Sequence, residues 1–330
     1  MLGRESISSI KAYEPGKPIS EVQRELGLNK VVKLASNENP LGPSRLALEA
    51  MAEALHSCNN YPDSNSYYLK EALAKRLRVN SSELVLGAGA DELIYFICQS
   101  FLDNGDEVVL AKLTFPIFTI ATQVMGGKVV ACEMKNFIYD LKAILAAITT
   151  KTKLVFIANP NNPTGTMVTR QHVDDFLKEV PPGVVTVLDE AYYEYVVNSD
   201  YPDSLAYVRE GRNVVVLRTF SKIYGLAGLR VGYGIAKEEI TQLLNRVRPV
   251  FTPNLLGQVA ALAALEDREH FRNSLKVNEA GKSYLYREFS RLGLTYLPTE
   301  TNFVFVDCGM NSRKLFQELL KRGVIIRPIT

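Results

Sequence analysis

The chain has 330 residues, 47% hydrophobic and 22% charged, with a formal net charge of +2. This is the composition of an ordinary globular protein, long enough for one large domain with a smaller appendage. A balance so near neutral argues against nucleic acid or a membrane surface as partner, and no apolar run is long enough to span a bilayer.

Residues 1–43 carry Pro15, Pro18, Pro40 and Pro43 and no long periodic pattern, so they read as an N-terminal arm or part of a small domain. Residues 44–250 read as a large α/β domain. Its expected strands are Glu107–Ala111, Lys128–Cys132, Lys153–Ala158, Val184–Leu188, Val214–Leu217 and Arg230–Gly234, with helical stretches such as Thr169 to Leu177 between them. Short, almost wholly apolar strands alternating with helices indicate a mostly parallel sheet covered on both faces. Right-handed crossovers then gather the C-terminal strand ends at one edge, where open α/β sheets bind ligands. Residues 251–330 read as a smaller α+β domain. It comprises a long helical stretch from about 255 to Leu294, a strand-like Asn302–Val306, a helix from about Ser312 to Arg322, and Val324–Ile326.

The cysteines, Cys58, Cys98, Cys132 and Cys308, are scattered without a CxxC pair, which fits a reducing cytoplasm better than a disulfide framework or metal cluster. His56, His172 and His270 have no metal-ligand spacing and read as surface residues. The first residues, Met1-Leu-Gly-Arg-Glu-Ser6, are polar and lack a hydrophobic signal core, which also fits the cytoplasm.

Four segments carry chemistry when taken together. Gly87-Ala-Gly-Ala-Asp-Glu92 opens a helix, and small residues there let backbone N–H groups approach a phosphate; alone, it reads equally well as a tight loop capped by Asp91. Asn159-Pro-Asn-Asn-Pro-Thr-Gly165 is a rigid turn that holds Asn162 at a strand end, placed to donate to a ring oxygen. Asp189-Glu-Ala-Tyr192 also follows a strand. A carboxylate there can keep a pyridine nitrogen protonated, which makes the ring an electron sink, and Tyr192 can reach a ring hydroxyl. Ser221-Lys222 follows the run Val214–Leu217, with Arg230 eight positions on. An isolated Ser-Lys pair is usually a solvated lysine. Here, with three other such segments at successive strand ends, it reads as an imine-forming lysine flanked by phosphate contacts.

Asn162-Pro-Thr-Gly165, Asp189-Glu-Ala-Tyr192 and the run from Ser221-Lys222 to Arg230 resemble the fold-type I pyridoxal-phosphate aminotransferases. Within these the chain is most similar to the histidinol-phosphate aminotransferase group. That likeness rests on Ser36-Asn-Glu-Asn-Pro-Leu-Gly-Pro43, Asn60-Tyr-Pro-Asp63, Gly89-Ala-Asp-Glu92, Gly225-Leu-Ala-Gly-Leu-Arg230 and Ile326-Arg-Pro328, which together span nearly the whole chain. The resemblance implies pyridoxal 5'-phosphate as cofactor. Lys222 would bond to it and shuttle a proton, Asp189 would pair with its pyridine nitrogen, and Tyr192 and Asn162 would bond its ring oxygen. Ala90, Asp91, Thr219, Ser221 and Arg230 would bind its phosphate. Phe115 would stack on the ring where the family usually has tyrosine, keeping the stacking and losing a hydroxyl contact. Tyr61 would reach the cofactor phosphate of a second subunit, which implies a homodimer with shared sites. Tyr13, Asn39 and Arg327 would line the substrate site, with Arg327 on the substrate's phosphate.

The implied reaction is ping-pong exchange of an amino group between histidinol phosphate and 2-oxoglutarate, giving imidazole-acetol phosphate and glutamate, in histidine biosynthesis. Aromatic-amino-acid aminotransferases and threonine-phosphate decarboxylases share most of these motifs. The family also continues past the Arg-Pro motif with a strand bearing a second arginine, whereas this sequence ends at Arg327-Pro-Ile-Thr330. That difference implies an exposed small-domain sheet edge, and admits a cofactor-binding module without useful catalysis as a rival of another class.

Overall fold

The computed structural model describes residues 3–8 and 10–329. Seven strands form the central sheet: β1 Leu84–Gly87, β2 Glu107–Ala111, β3 Lys128–Cys132, β4 Thr152–Ala158, β5 Val185–Asp189, β6 Val214–Thr219 and β7 Gly232–Ala236. Their spatial order is β1-β7-β6-β5-β4-β2-β3. β7 runs antiparallel to both its neighbours, and every other adjacent pair is parallel. The sheet is therefore mostly parallel, as expected, with one reversed strand.

Near-continuous apolar strands form because both faces are covered. Alternate residues divide between two cores. Val155 and Ile157 of β4 join Leu188, Val214 and Val216 on one face, while Leu154 and Phe156 join Val187, Val215 and Leu217 on the other. Helices Tyr67–Leu77, Arg170–Glu179 and Leu255–Glu266 cover the first face; Ala90–Phe101, Pro116–Val124 and Glu238–Val247 cover the second.

Three expectations are corrected. The strand expected at Arg230–Gly234 begins at Gly232, because Arg230 takes a left-handed conformation (φ +54°) that a strand cannot hold. The single long helix expected from about 255 is two, Leu255–Glu266 and Arg268–Arg291; Asp267 breaks it and caps the second by accepting from His270 N at 2.9 Å. Of the expected strand Asn302–Val306, only Val306 pairs, in the short strand Val306–Asp307.

Smaller pairings tie the ends of the chain together. Val32–Lys33 runs parallel to Val324–Ile325, over a small core of Val22, Ala35 and Ile325. His56 and His172 are exposed and His270 is half-buried. Among the described residues no helix is long and apolar enough to cross a membrane, and no group of three or more His, Cys, Asp or Glu side chains is placed to hold a metal ion.

At the strand ends, the alternation of side chains separates structural from site residues. Arg218 and Glu190 form a buried pair, Arg218 Nη2 to Glu190 Oε2 at 2.8 Å, with Arg218 also stacked 3.6 Å over the Tyr193 ring. Their chain neighbours Thr219 and Asp189 point the other way, into the cavity described below. Arg218→Met leaves a bare carboxylate at Glu190, so it is expected to lower stability by about 3–5 kcal/mol in denaturant unfolding, whereas Glu190→Met/Arg218→Met recovers most of that loss. Equal losses in the single and double variants would show that the pair is not coupled.

Candidate active site

A cavity of about 770 Å³ lies over the C-terminal ends of β4, β5 and β6, which contribute Ala158, Asp189 and Thr219 to its wall. It also takes Ala90 and Asp91 from the start of the helix after β1, and Arg230 from the turn before the reversed strand β7. The antiparallel direction of β7 places its beginning, rather than its end, at this edge.

One part of the wall suits an anion. The helix Ala90–Phe101 begins after Gly89, whose φ of +88° favours glycine, and a Cβ at Gly89 would collide with the Arg230 guanidinium. A Cβ at Gly232 would lie 2.5 Å from Ala90 N, so both glycines keep this corner close-packed. Glu92 braces the loop by accepting from Ala88 N at 2.5 Å and from Thr252 Oγ1 at 3.0 Å. Arg230 Nη1 donates to Ser221 Oγ at 3.2 Å, and Thr219 Oγ1 donates to the same oxygen at 3.0 Å. Arg230 Nη2 also lies 3.4 Å from Asp91 Oδ2, a long and half-exposed contact. Free helix N–H groups, two hydroxyls and a guanidinium form a donor set for a phosphate.

Deeper in, Asp189 is 6% exposed at the end of β5 and accepts from Ala191 N at 3.0 Å. Burial pushes its carboxyl up to about 7, and Asp91 and Glu190 add to the effect. Lys222 faces it: burial holds the amine below the usual lysine range, against the opposing pull of Asp91, while Arg230 adds to the lowering. The Lys222 Nζ lies 3.4 Å from Ser36 O and 5.4 Å from the Tyr192 ring centroid. Tyr192 is buried, with Phe303 edge-on at 5.2 Å, and its Oη accepts from Asn37 Nδ2 at 2.9 Å. The cavity thus holds a lysine biased toward its neutral, nucleophilic form, beside a buried carboxyl to which no cation is bonded among the described residues.

Phe115 and Asn162 also line the cavity. Phe115 caps the helix Pro116–Val124, and Asn162 stands in a turn pinned by its neighbour. That neighbour, Asn161, donates to Leu113 O at 3.0 Å and Thr164 Oγ1 at 2.9 Å and accepts from Thr114 Oγ1 at 2.9 Å. Tyr13 and Arg327 meet at the outer wall, the Arg327 guanidinium 5.1 Å from the Tyr13 ring and bonded to Glu14 O at 2.5 Å. Two predicted residues lie elsewhere. Asn39 is buried outside the cavity wall and spends its amide on Ile223 O (2.7 Å) and Ser274 Oγ (2.9 Å). Tyr61 is 80% exposed, away from the cavity, and stacks on Phe251 at 4.2 Å. Sequence reasoning missed Asn37 and Asn302. Both line the cavity; Asn37 shares its motif with Asn39, and Asn302 begins a stretch that reads as a plain strand, so neither segment shows that its asparagine turns inward.

The raised Asp189 carboxyl has a consequence for stability. Its proton is held more tightly folded than unfolded, so the penalty is absent below about pH 4 and complete above about pH 7. In the ligand-free protein, Asp189→Asn is therefore expected to flatten the stability–pH profile. Between pH 5 and 8 the wild type should lose on the order of 2 kcal/mol more than the variant. The buried Glu194 carboxyl, also pushed up to about 7 by burial, titrates in both proteins and cancels. Parallel thermal-denaturation profiles would refute the assignment.

The family model for class I and II aminotransferases matches residues 29–330. The chain is 58% identical to the histidinol-phosphate aminotransferase of Moorella thermoacetica over 325 residues, 98% of this chain and 84% of that relative. It superposes with a TM-score of 0.92 on histidinol-phosphate aminotransferase from Sinorhizobium meliloti in complex with pyridoxal-5'-phosphate, at 30% identity, covering 99% of this chain and 89% of that one. An aspartate aminotransferase from Thermus thermophilus shares the fold at a TM-score of 0.84 and 22% identity, over 99% of this chain and 92% of that one. The chain belongs to the class I and II aminotransferase family.

Proposed function

We propose that this protein is a pyridoxal-phosphate-dependent transaminase that exchanges an amino group between histidinol phosphate and 2-oxoglutarate, in histidine biosynthesis. The observation that carries the reading is the 58% identity to a histidinol-phosphate aminotransferase over 98% of the chain. The relatives give no support to the aromatic-amino-acid and threonine-phosphate alternatives.

The cavity residues fit the cofactor. Among the described residues no cation is bonded to the buried Asp189 carboxyl, and a protonated ring nitrogen would supply one. Ala90, Asp91, Thr219, Ser221 and Arg230 suit its phosphate, and the corner kept clear at Gly89 and Gly232 brings their donors together. When bound, pyridoxal phosphate supplies an aldehyde for a lysine amine and a ring that spreads the electron pair left by a departing proton.

The chain's own groups do the rest. Lys222 Nζ, whose hold on a proton is weakened by burial, is the nucleophile and the base that moves a proton from the substrate's α-carbon. Asp189 holds the ring nitrogen cationic, Tyr192 and Asn162 hold the ring oxygen, and Phe115 covers the ring face. Arg327, over Tyr13 at the outer wall, meets the substrate's phosphate with a two-pronged fork. The division into an arm (1–43), a large domain (44–250) and a small domain (251–330) belongs to this proposal, as does a cytoplasmic location, which the four free cysteines support.

Transamination of histidinol phosphate tests the reading. Lys222→Ala is expected to reduce turnover by at least about a thousandfold. Arg327→Ala should raise KM for histidinol phosphate far more than for histidinol. A wild-type protein inert toward histidinol phosphate would sink the proposal, and equal effects on both substrates would remove Arg327 from the phosphate site.

The proposal includes a homodimer, in which Tyr61 reaches the cofactor phosphate of the other subunit. Its ring is 80% exposed beside the exposed Phe251, as a residue reserved for a partner would be. Light scattering is expected to give twice the 36.8 kDa chain mass; a monomer mass at assay concentration would overturn the shared site.

A further inference from the structure

Ser36 and Asn37 are consecutive non-glycine residues in the left-handed region, with φ of +75° and +53°. Such a pair is unfavourable by itself and persists only where surrounding contacts hold it. Three contacts do so here, and all reach the cavity. Lys222 Nζ donates to Ser36 O at 3.4 Å, Asn302 Nδ2 donates to Asn37 O at 2.9 Å, and Asn37 Nδ2 donates to Tyr192 Oη at 2.9 Å. The N-terminal segment thus touches both the lysine and the phenol through one strained turn.

The third contact has a direction. An amide nitrogen donates only, so the Tyr192 oxygen is the acceptor towards Asn37, and its single hydrogen is free to point elsewhere. Tyr192 is buried against Phe303, and its open side is the cavity. We propose that Asn37 is a positioning residue for the reaction: it fixes the Tyr192 hydroxyl so that its hydrogen is aimed into the cavity at the cofactor's ring oxygen. The inference rests on the cofactor reading above. A hydrogen bond from Tyr192 draws charge off that oxygen, and that charge is what holds the proton on the nitrogen joining Lys222 to the cofactor. Asn37, without touching the cofactor, therefore influences the pH at which this proton is lost. The other charged and titratable groups facing Lys222 and Tyr192 among the described residues are Asp189, Asp91, Arg230, Glu38, Tyr13 and Tyr195, and the variants below leave all of them in place.

The visible absorbance of the cofactor-loaded protein, titrated with pH, reads this proton directly. Asn37→Gly keeps the left-handed backbone accessible while removing the amide. Its titration midpoint is expected to rise by about 0.7 pH unit, roughly the fivefold change of one ordinary hydrogen bond. Asn37→Asp keeps the side-chain shape, offers only acceptors and adds a negative charge, so it should shift the midpoint up further than Asn37→Gly does. Tyr192→Phe should shift it further, and adding Asn37→Gly to Tyr192→Phe should change nothing more, since Asn37 acts through that hydroxyl. An unchanged midpoint in Asn37→Gly, or the same upward shift with and without the Tyr192 hydroxyl, overturns the proposal. A wild type with no visible band that depends on Lys222 fails at the cofactor reading instead, and the proposal falls with it.

Discussion

The cavity depends on the burial of the strand ends that carry it. β5, β6 and β7 are buried along their whole length, so their termini are fixed by two hydrophobic cores and not by the loops that follow. A carboxylate placed at such an end cannot retreat into solvent. That is why Asp189 is left with a carboxyl pushed up to about 7, and why a cationic ring brought next to it gains more than it would at the surface.

The same geometry explains how one short segment serves two purposes. Along Asp189-Glu190 and Arg218-Thr219, side chains alternate between the two faces of the sheet. Glu190 and Arg218 meet on one face as a closed, buried pair, while Asp189 and Thr219 open into the cavity on the other. Glu190 Oε2 is paired with Arg218, while its Oε1 has no partner among the described residues; Asp189 accepts from the backbone Ala191 N and faces the cavity. Asp189 is thus a buried carboxyl placed where a bound group can reach it, which is how a binding site differs from a merely polar interior.

Much of the candidate site was legible because its residues sit in short segments at strand ends. Lys222, Asp189, Asn162, Thr219, Ser221, Arg230, Ala90, Asp91 and Phe115 all line the cavity. Their segments combine an apolar strand with a turn or helix start, a local pattern that pins each residue to one sheet edge. The arm was harder to read. Asn37 and Asn39 are two residues apart in one motif, and the family resemblance points to Asn39 for the substrate. Its amide is consumed by Ile223 O and Ser274, whereas Asn37 reaches Tyr192. The choice depends on the left-handed turn at Ser36-Asn37, and neither serine nor asparagine declares that conformation in advance.

The sequence by itself determined the alternation of strands and helices, the two-faced burial of the sheet and the chemical types that meet at its edge, because each depends on spacing within a few residues. Only the tertiary structure decided the reversal of β7, the break at Asp267 and the joining of Val32–Lys33 to Val324–Ile325. It alone brought Asn302 onto Asn37. Those features bring together segments far apart in the chain, or depend on whether a few residues near a turn bend one way or the other. Their free-energy differences are set by packing partners that no local window contains.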